Sequence, residues 1–226
     1  KKSYEMRDIV NLVFDKETFF EITKFFGRGI ITGFARINGY SVGILANDSN
    51  FYAGSMSADG AKKTTRFVNT CNTFHIPIVS LVDEPGFLIG PEAESQATIL
   101  YGTEAVLAVT ESTVPWSTIM IRKSFGVAAA AHYGPNGYVL AWPSAESGPL
   151  PLEGGVAVAF KKEIEAAKDP EAKRKEIEEK MSKNQNPFPR AESFSVHEII
   201  DPRKTRKYLS SWAERIQPQM KAKLMK

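Results

Sequence analysis

The 226-residue sequence predicts an α/β layered domain, and three observations carry that prediction. Short apolar runs without polar–apolar alternation recur along the chain, Pro77-Ile78-Val79-Ser80-Leu81-Val82 and Ser117-Thr118-Ile119-Met120-Ile121 among them. A strand covered on both faces reads this way, because neither face meets water. Segments with helical spacing separate the runs, at Ala58–Phe74 and around Ile99–Leu107. The runs also exit into loops rich in glycine and proline: DEPGFLIG, SFGVAAA and WPSAESGPLPLEGG. In an α/β sheet such loops gather at one edge, where ligands bind.

Element by element, residues 1–28 read as a polar lead-in with a short helix around Lys16–Phe26, its apolar side Phe19, Phe20 and Phe25. Strands Ile30–Ile37 and Val42–Ala46 follow, joined by Asn38-Gly39, a strong hairpin dipeptide. The helix Ala58–Phe74 has Asp59 near its N-cap. The strand ending at Val82 is broken by Asp83-Glu84-Pro85-Gly86, and after the helix around Ile99–Leu107 comes strand Ser117–Ile121. Then RKSFGVAAAAHYG places a glycine and four alanines after a strand. Gly126 suits a tight strand-to-helix turn. Alanine is the best helix former, and its bare methyl lets another surface come close. A turn of this kind leaves free N–H groups at the helix start. The segment therefore predicts either a small-residue helix packed on a neighbour or an oxyanion site walled with methyl groups. A strand Tyr138–Trp142 stops at Pro143. Residues 29–160 form the expected core of a single domain, 1–226. Residues 161–194 read as a solvent-facing charged helix interrupted at Asp169-Pro170, then a proline-broken connection. Residues 195–226 hold a last helix, Lys204–Ile216, that docks through Tyr208, Leu209 and Trp212.

Composition narrows the function classes. A net charge of +3 with no unbroken Lys/Arg block gives no footprint for nucleic acid. The single cysteine, Cys71, allows no intrachain disulfide and no Cys-rich zinc site, and it sits among Phe67, Val68 and Phe74 as core filler. His75, His132 and His197 lack metal-ligand spacing, so no metal is expected. No G-x-S-x-G, G-x-G-x-x-G or G-x-x-x-x-G-K-[ST] motif is present, which argues against Ser124 as a nucleophile and against a glycine cradle for nucleotide phosphates. No stretch is apolar enough to span a membrane, and Lys1-Lys2-Ser3-Tyr4-Glu5 has no signal-peptide core. The expectation is a soluble chain of a reducing compartment: cytoplasmic, or the mitochondrial matrix in a eukaryote.

Five segments in order, GFARINGYSVGILAND, RFVNTCNTFHIPIVSLVDEPGFLIG, YGTEAVLAVTESTVPWSTIMIRKSFGVA, LAWPSAESG and IIDPRKTR, together resemble the C-terminal half of biotin-dependent acyl-CoA carboxyltransferases. This group includes the propionyl-CoA and methylcrotonyl-CoA carboxylase β subunits, and related decarboxylases share that half. The resemblance implies a crotonase-like superhelix of β-β-α units. It implies that the backbone N–H groups of Val127 and Ala128 serve as oxyanion donors to the ureido oxygen of carboxybiotin, with Gly126 shaping the turn and Phe87, Leu88 and Gly90 walling the biotin site. It also implies an acyl-CoA substrate, a biotin carboxyl carrier protein, an N-terminal lobe holding most of the CoA, and an oligomer with its active site at an interface. The direction of transfer stays open, as does a non-catalytic assembly subunit of the same fold. Two departures stand out: relatives commonly read Gly-Gly-Ala where this chain has Gly126-Val127-Ala128, and they place an aspartate at the position of Ala130. Glu153 reads as a carboxylate at a helix start, favoured there by the helix dipole. The basic tail from Arg203 is either a docked helix or, through Arg206 or Lys207, a contact for CoA phosphates.

Overall fold

The computed structural model describes residues 3–182 and 184–224, the side chains of residues 153, 154, 223 and 224 apart. The expected polar lead-in is instead opened by a helix, α1 (Met6–Val13), in which Met6, Val10 and Val13 bury one face at helical spacing. The helix expected over Lys16–Phe26 does not form. Left-handed backbone at Glu17 (φ 60°) and Thr23 (φ 53°) interrupts it. Phe20–Ile22 becomes β1, antiparallel to β2 (Ile30–Ile37). Edge pairing overrides the phenylalanine spacing and leaves Phe20 and Phe25 exposed.

β2 and β3 (Tyr40–Asn47) form the predicted hairpin, with positive φ at both Asn38 (50°) and Gly39 (80°) as a tight two-residue turn requires. The Asp15 carboxylate accepts the N–H groups of Asn38 and Gly39 at 3.1 and 2.8 Å. α2 (Ala58–Thr73) starts where predicted, but its N-cap is Ser57, whose Oγ accepts the Gly60 N–H; Asp59 lies in the first turn. β4 (Ile78–Glu84) is buried at every position and runs through Asp83 and Glu84, where the sequence suggested a break. α3 (Pro91–Ser95) and α4 (Thr98–Thr110) follow, then β5 (Trp116–Phe125), four residues longer at its C-terminal end than expected, since it runs past Ile121 to Phe125. The alanines form no α-helix but a five-residue 3-10 turn, Ala128–His132. β6 (Tyr138–Ala141) and β7 (Glu146–Gly148) come next. The charged region folds as α5 (Leu152–Ala159), α6 (Lys161–Glu165) and α7 (Pro170–Ser182), with the interruption at Asp169-Pro170 as expected. α8 (Phe188–Glu192), β8 (Glu198–Ile199), α9 (Thr205–Arg215) and α10 (Gln217–Leu224) complete the chain.

The strands form one sheet in the order β1-β2-β3-β4-β5-β6-β8, with β7 paired to the end of β5. β3 through β8 run parallel and the first three strands antiparallel. Side-chain alternation divides the core. Ile44, Ala46, Val79, Leu81, Ile119 and Ile121 face α1 and α9, where Leu209 and Trp212 dock as predicted. Leu45, Ile78 and Trp116 face α2 and α4. Cys71 is fully buried among them, and burial pushes its thiol up to about 12, so it is core filler. The parallel run sends the carboxyl ends of β3, β4, β5 and β6 to one edge, while the hairpin tip at Asn38-Gly39 lies at the other.

Candidate active site

The turn after β5 is built by a change of partner. Over Ser117–Met120 the strand pairs with β6, but Lys123–Phe125 pair with β7 instead. The Gly126 N–H then donates to the Gly148 carbonyl at 3.1 Å. Gly126 has φ +65°, a conformation that glycine adopts without strain. Val127 is right-handed, at φ −69° and ψ −31°. Left-handed backbone followed by right-handed swings successive N–H groups to one side and makes an anion-holding nest. The N–H groups of Val127 and Ala128 donate to no acceptor among the described residues. The Val127 side chain is 68 % exposed, so the nest opens outward there, whereas Ala128 is fully buried. Ala128 and Ala131 pack with Ala105 and Ala108 of α4, and Ala130 faces out. The packing reading holds in altered form, as a tight turn rather than a helix: the methyls let it sit close to α4, and that seat holds the amides in place.

The loop after β4 is pinned to the start of α2. Met56 N–H donates to the Gly86 carbonyl at 3.1 Å and Leu88 N–H to the Met56 carbonyl at 2.9 Å. Phe87 packs against α4; a Cβ at Gly102 would come within 2.2 Å of its ring. Leu88 lines a groove with Phe51 and Ser57 at the head of α2, and Gly90 (φ 111°) opens α3. Thus Gly126, Val127 and Ala128 form one unit, while Phe87 and Leu88 are engaged with α4 and with the α2 groove.

A buried polar knot that the sequence did not disclose links this loop to the turn. Ser80, Glu84, Asn47, Thr118 and His132 are all fully buried. Glu84 accepts from Asn47 Nδ2 at 3.0 Å and from the N–H groups of Gly86 and Met56 at 3.0 and 3.3 Å. His132 Nδ1 is 2.8 Å from Ser80 Oγ, and its carbonyl accepts from Thr118 Oγ1 at 2.7 Å. His132 Nε2 has no hydrogen-bond partner and stands 3.7 Å from Glu84 Oε2. Burial pushes the Glu84 carboxyl above its ordinary range. Asp83, next in line, is held by Arg122 Nη2 at 2.8 Å, Tyr4 OH at 3.0 Å and Lys123 N–H at 3.0 Å. These partners let two acidic side chains end a buried strand, which residue type alone argued against.

Arg206 lies at the far edge of the sheet. Its guanidinium donates to Asp15 Oδ1 at 2.6 Å and to the Val13 carbonyl at 3.0 Å, beside the hairpin tip. It ties α9 to the lead-in, and the structure does not bring it to the turn; Lys207 is exposed on the same helix. The Glu153 side chain lies outside the described residues. Among the described residues no group of three or more His, Cys, Asp and Glu could hold a metal ion, and no helix is long and apolar enough to cross a membrane.

A mostly parallel sheet with a glycine turn at the carboxyl edge of its strands defines a crotonase-fold domain. The chain belongs to the carboxyl transferase domain family, whose model matches residues 1–224. It is 38% identical over 214 residues to the propionyl-CoA carboxylase carboxyltransferase subunit of Haloferax mediterranei, covering 92% of this chain and 41% of that one. It is 37% identical over 209 residues to the methylmalonyl-CoA decarboxylase subunit alpha of Propionigenium modestum, covering 91% and 40%. Among solved structures, it superposes on a transcarboxylase 12S subunit that forms a hexamer, crystallised with methylmalonyl-coenzyme A and methylmalonic acid, with a TM-score of 0.87 and 36% identity over 96% of this chain and 42% of that one. The chain therefore spans about two fifths of the length of the relatives it matches.

Proposed function

We propose that the chain is the C-terminal lobe of a biotin-dependent acyl-CoA carboxyltransferase, completed by an N-terminal lobe that binds the CoA. The observation that supports this most is the pair of amides at Val127 and Ala128 that find no acceptor among the described residues, set by Gly126 in a nest with small walls. A compact, apolar, bicyclic ring with a polar ureido oxygen fits such a place: the oxygen meets two fixed donors and the ring meets methyl groups. Biotin, bound there as its N-carboxyl derivative, supplies the carboxyl group. The two N–H groups hold the negative charge that develops on the oxygen they face, and being fixed they need no reorganisation at that moment. Gly126 sets their direction, and the Ala128 and Ala131 methyls keep the turn on α4. At the acyl group the α-carbon exchanges a proton for the carboxyl group, or the reverse; relatives named for both directions match this chain. The tail from Arg203 acts as structure, because Arg206 is already paired with Asp15.

The test is carboxyl exchange between an acyl-CoA and free biotin, using the chain assembled with its N-terminal lobe. Exchange by the assembly and none by the 226-residue chain alone is the expected result. An assembly that forms but exchanges nothing would overturn the reading in favour of a non-catalytic subunit of the same fold.

A further inference from the structure

His132 closes the turn that Val127 opens, and its ring is held from one side only. Nδ1 meets Ser80 Oγ of β4 at 2.8 Å, while Nε2 finds no hydrogen-bond partner among the described residues. The carbonyl of the same residue accepts from Thr118 Oγ1 of β5, so His132 spans both central strands. The turn passes this seat back towards the nest in two steps. Tyr133 N–H donates to the Ala130 carbonyl at 3.2 Å, and Ala130 N–H to the Val127 carbonyl at 2.9 Å. Glu84 is committed to the other loop. Its Oε1 accepts the Gly86 and Met56 N–H groups, and its Oε2 accepts Asn47 Nδ2. Asn47 in turn donates to the Gly54 carbonyl at 3.1 Å and accepts the Asp83 N–H at 2.9 Å. The 3.7 Å between His132 Nε2 and Glu84 Oε2 therefore interrupts a line of buried bonds from the head of α2 to the end of the turn.

That interval has a reason to close. Both side chains are fully buried, and a buried polar atom without a partner is costly. N–H···O bonds span about 3 Å, so a movement of about 1 Å completes the link. A proton is on hand in either state: a carboxyl O–H donates to Nε2, or an Nε2–H donates to a carboxylate. Burial raises the Glu84 carboxyl, and the imidazole opposite pulls it the other way, which shows the two groups already coupled. We propose that His132 is a positioning residue: by closing onto Glu84 it locks the turn to the loop after β4 and fixes the direction of the Val127 and Ala128 N–H groups. This rests on the reading of the turn as a carboxyltransferase site.

The experiment is a double-mutant cycle, read as carboxyl exchange onto free biotin by the chain assembled with its N-terminal lobe. Val127→Pro deletes one proposed donor, and His132→Phe keeps a ring without its nitrogens. His132→Phe should lower kcat by about tenfold to a hundredfold, the cost of a misplacement of about 1 Å, with the KM for acyl-CoA unchanged. It should also shrink the loss that Val127→Pro causes, because a donor already out of line has less to give up. His132→Gln keeps a hydrogen-bonding end and should recover part of kcat. Ser80→Ala, which frees Nδ1, is the milder variant and should show the same non-additivity even where His132→Phe does not fold. Sites that act independently give additive losses. Additive losses in a wild-type-like fold by circular dichroism would overturn the positioning role and leave the knot as core packing. A wild-type assembly without exchange would overturn the carboxyltransferase reading and this inference with it.

Discussion

Val127 is the residue at which a proposed oxyanion donor can be removed most cleanly. Its φ of −69° is the angle proline imposes, its side chain is exposed, and it follows a glycine. Ala128 is a poorer position: it is fully buried, and the right-handed Val127 before it would clash with a proline ring. Val127→Pro should therefore fold normally by circular dichroism and lose on the order of 10²–10³ in carboxyl exchange onto biotin. Val127→Ala keeps the N–H and should lose far less; equal losses would place the donor elsewhere. Glu84 makes a prediction in pH. Below about 4.5, its ordinary value, it is protonated in both folded and unfolded chains. As pH rises, the unfolded carboxyl ionises first while burial holds the folded one neutral, so the stability present at low pH is lost upward from there. Glu84→Gln removes this titration. The stability of the variant relative to the wild type, from urea unfolding, should grow between pH 4.5 and pH 7.5; a constant difference would show that the carboxyl is not raised.

At the scale of elements, what the sequence discloses depends on how local the cause is. The Asn38-Gly39 hairpin, the periodicity of α2 and the apolar run of β4 have local causes and are legible in the residues. So is the glycine turn at Gly126, because only its left-handed backbone needs that residue. The rest depends on distant partners. Phe20 joins an edge strand because Phe34 is opposite it, and β5 continues through Arg122 and Lys123 because Asp83 and β7 receive them. The alanines stop as a 3-10 turn because α4 and the sheet leave little width between them. Nothing local marks Glu84 and His132, 48 positions apart in the chain, as neighbours. The anchor at the end of this turn is testable. A Cβ on Gly134 would stand 2.1 Å from the root of the Trp116 ring, itself only 1 % exposed. Gly134→Ala should cost about 1–3 kcal/mol by overpacking, read from the urea midpoint. An unchanged midpoint would mean that the turn is not held against β5 there.

On the scale of the whole molecule, the sheet separates its tasks by edge: Asp15, Arg206 and the hairpin tip lock one end, and the nest and its loops occupy the other. From β7, at the nest's edge, runs the charged excursion through α5, α6 and α7, and Gln185 closes it. The Gln185 carbonyl accepts the Ser147 N–H at 2.8 Å, and its side-chain Nε2 donates to the Leu150 carbonyl at 3.0 Å. The chain thus departs and returns at a single point, directly behind the Gly148 carbonyl that orients Gly126. Topologically this is an insertion, and closing so short a gap with a few residues costs little entropy. Replacing residues 152–182 by a short Gly/Ser linker should preserve one cooperative unfolding transition with less helix by circular dichroism. A non-cooperative product would show instead that α5 and α7 are part of the core. If the transition survives, the excursion is a site for grafting or trimming, where length, charge or a fused tag can vary while the geometry of the turn stays fixed by Gln185.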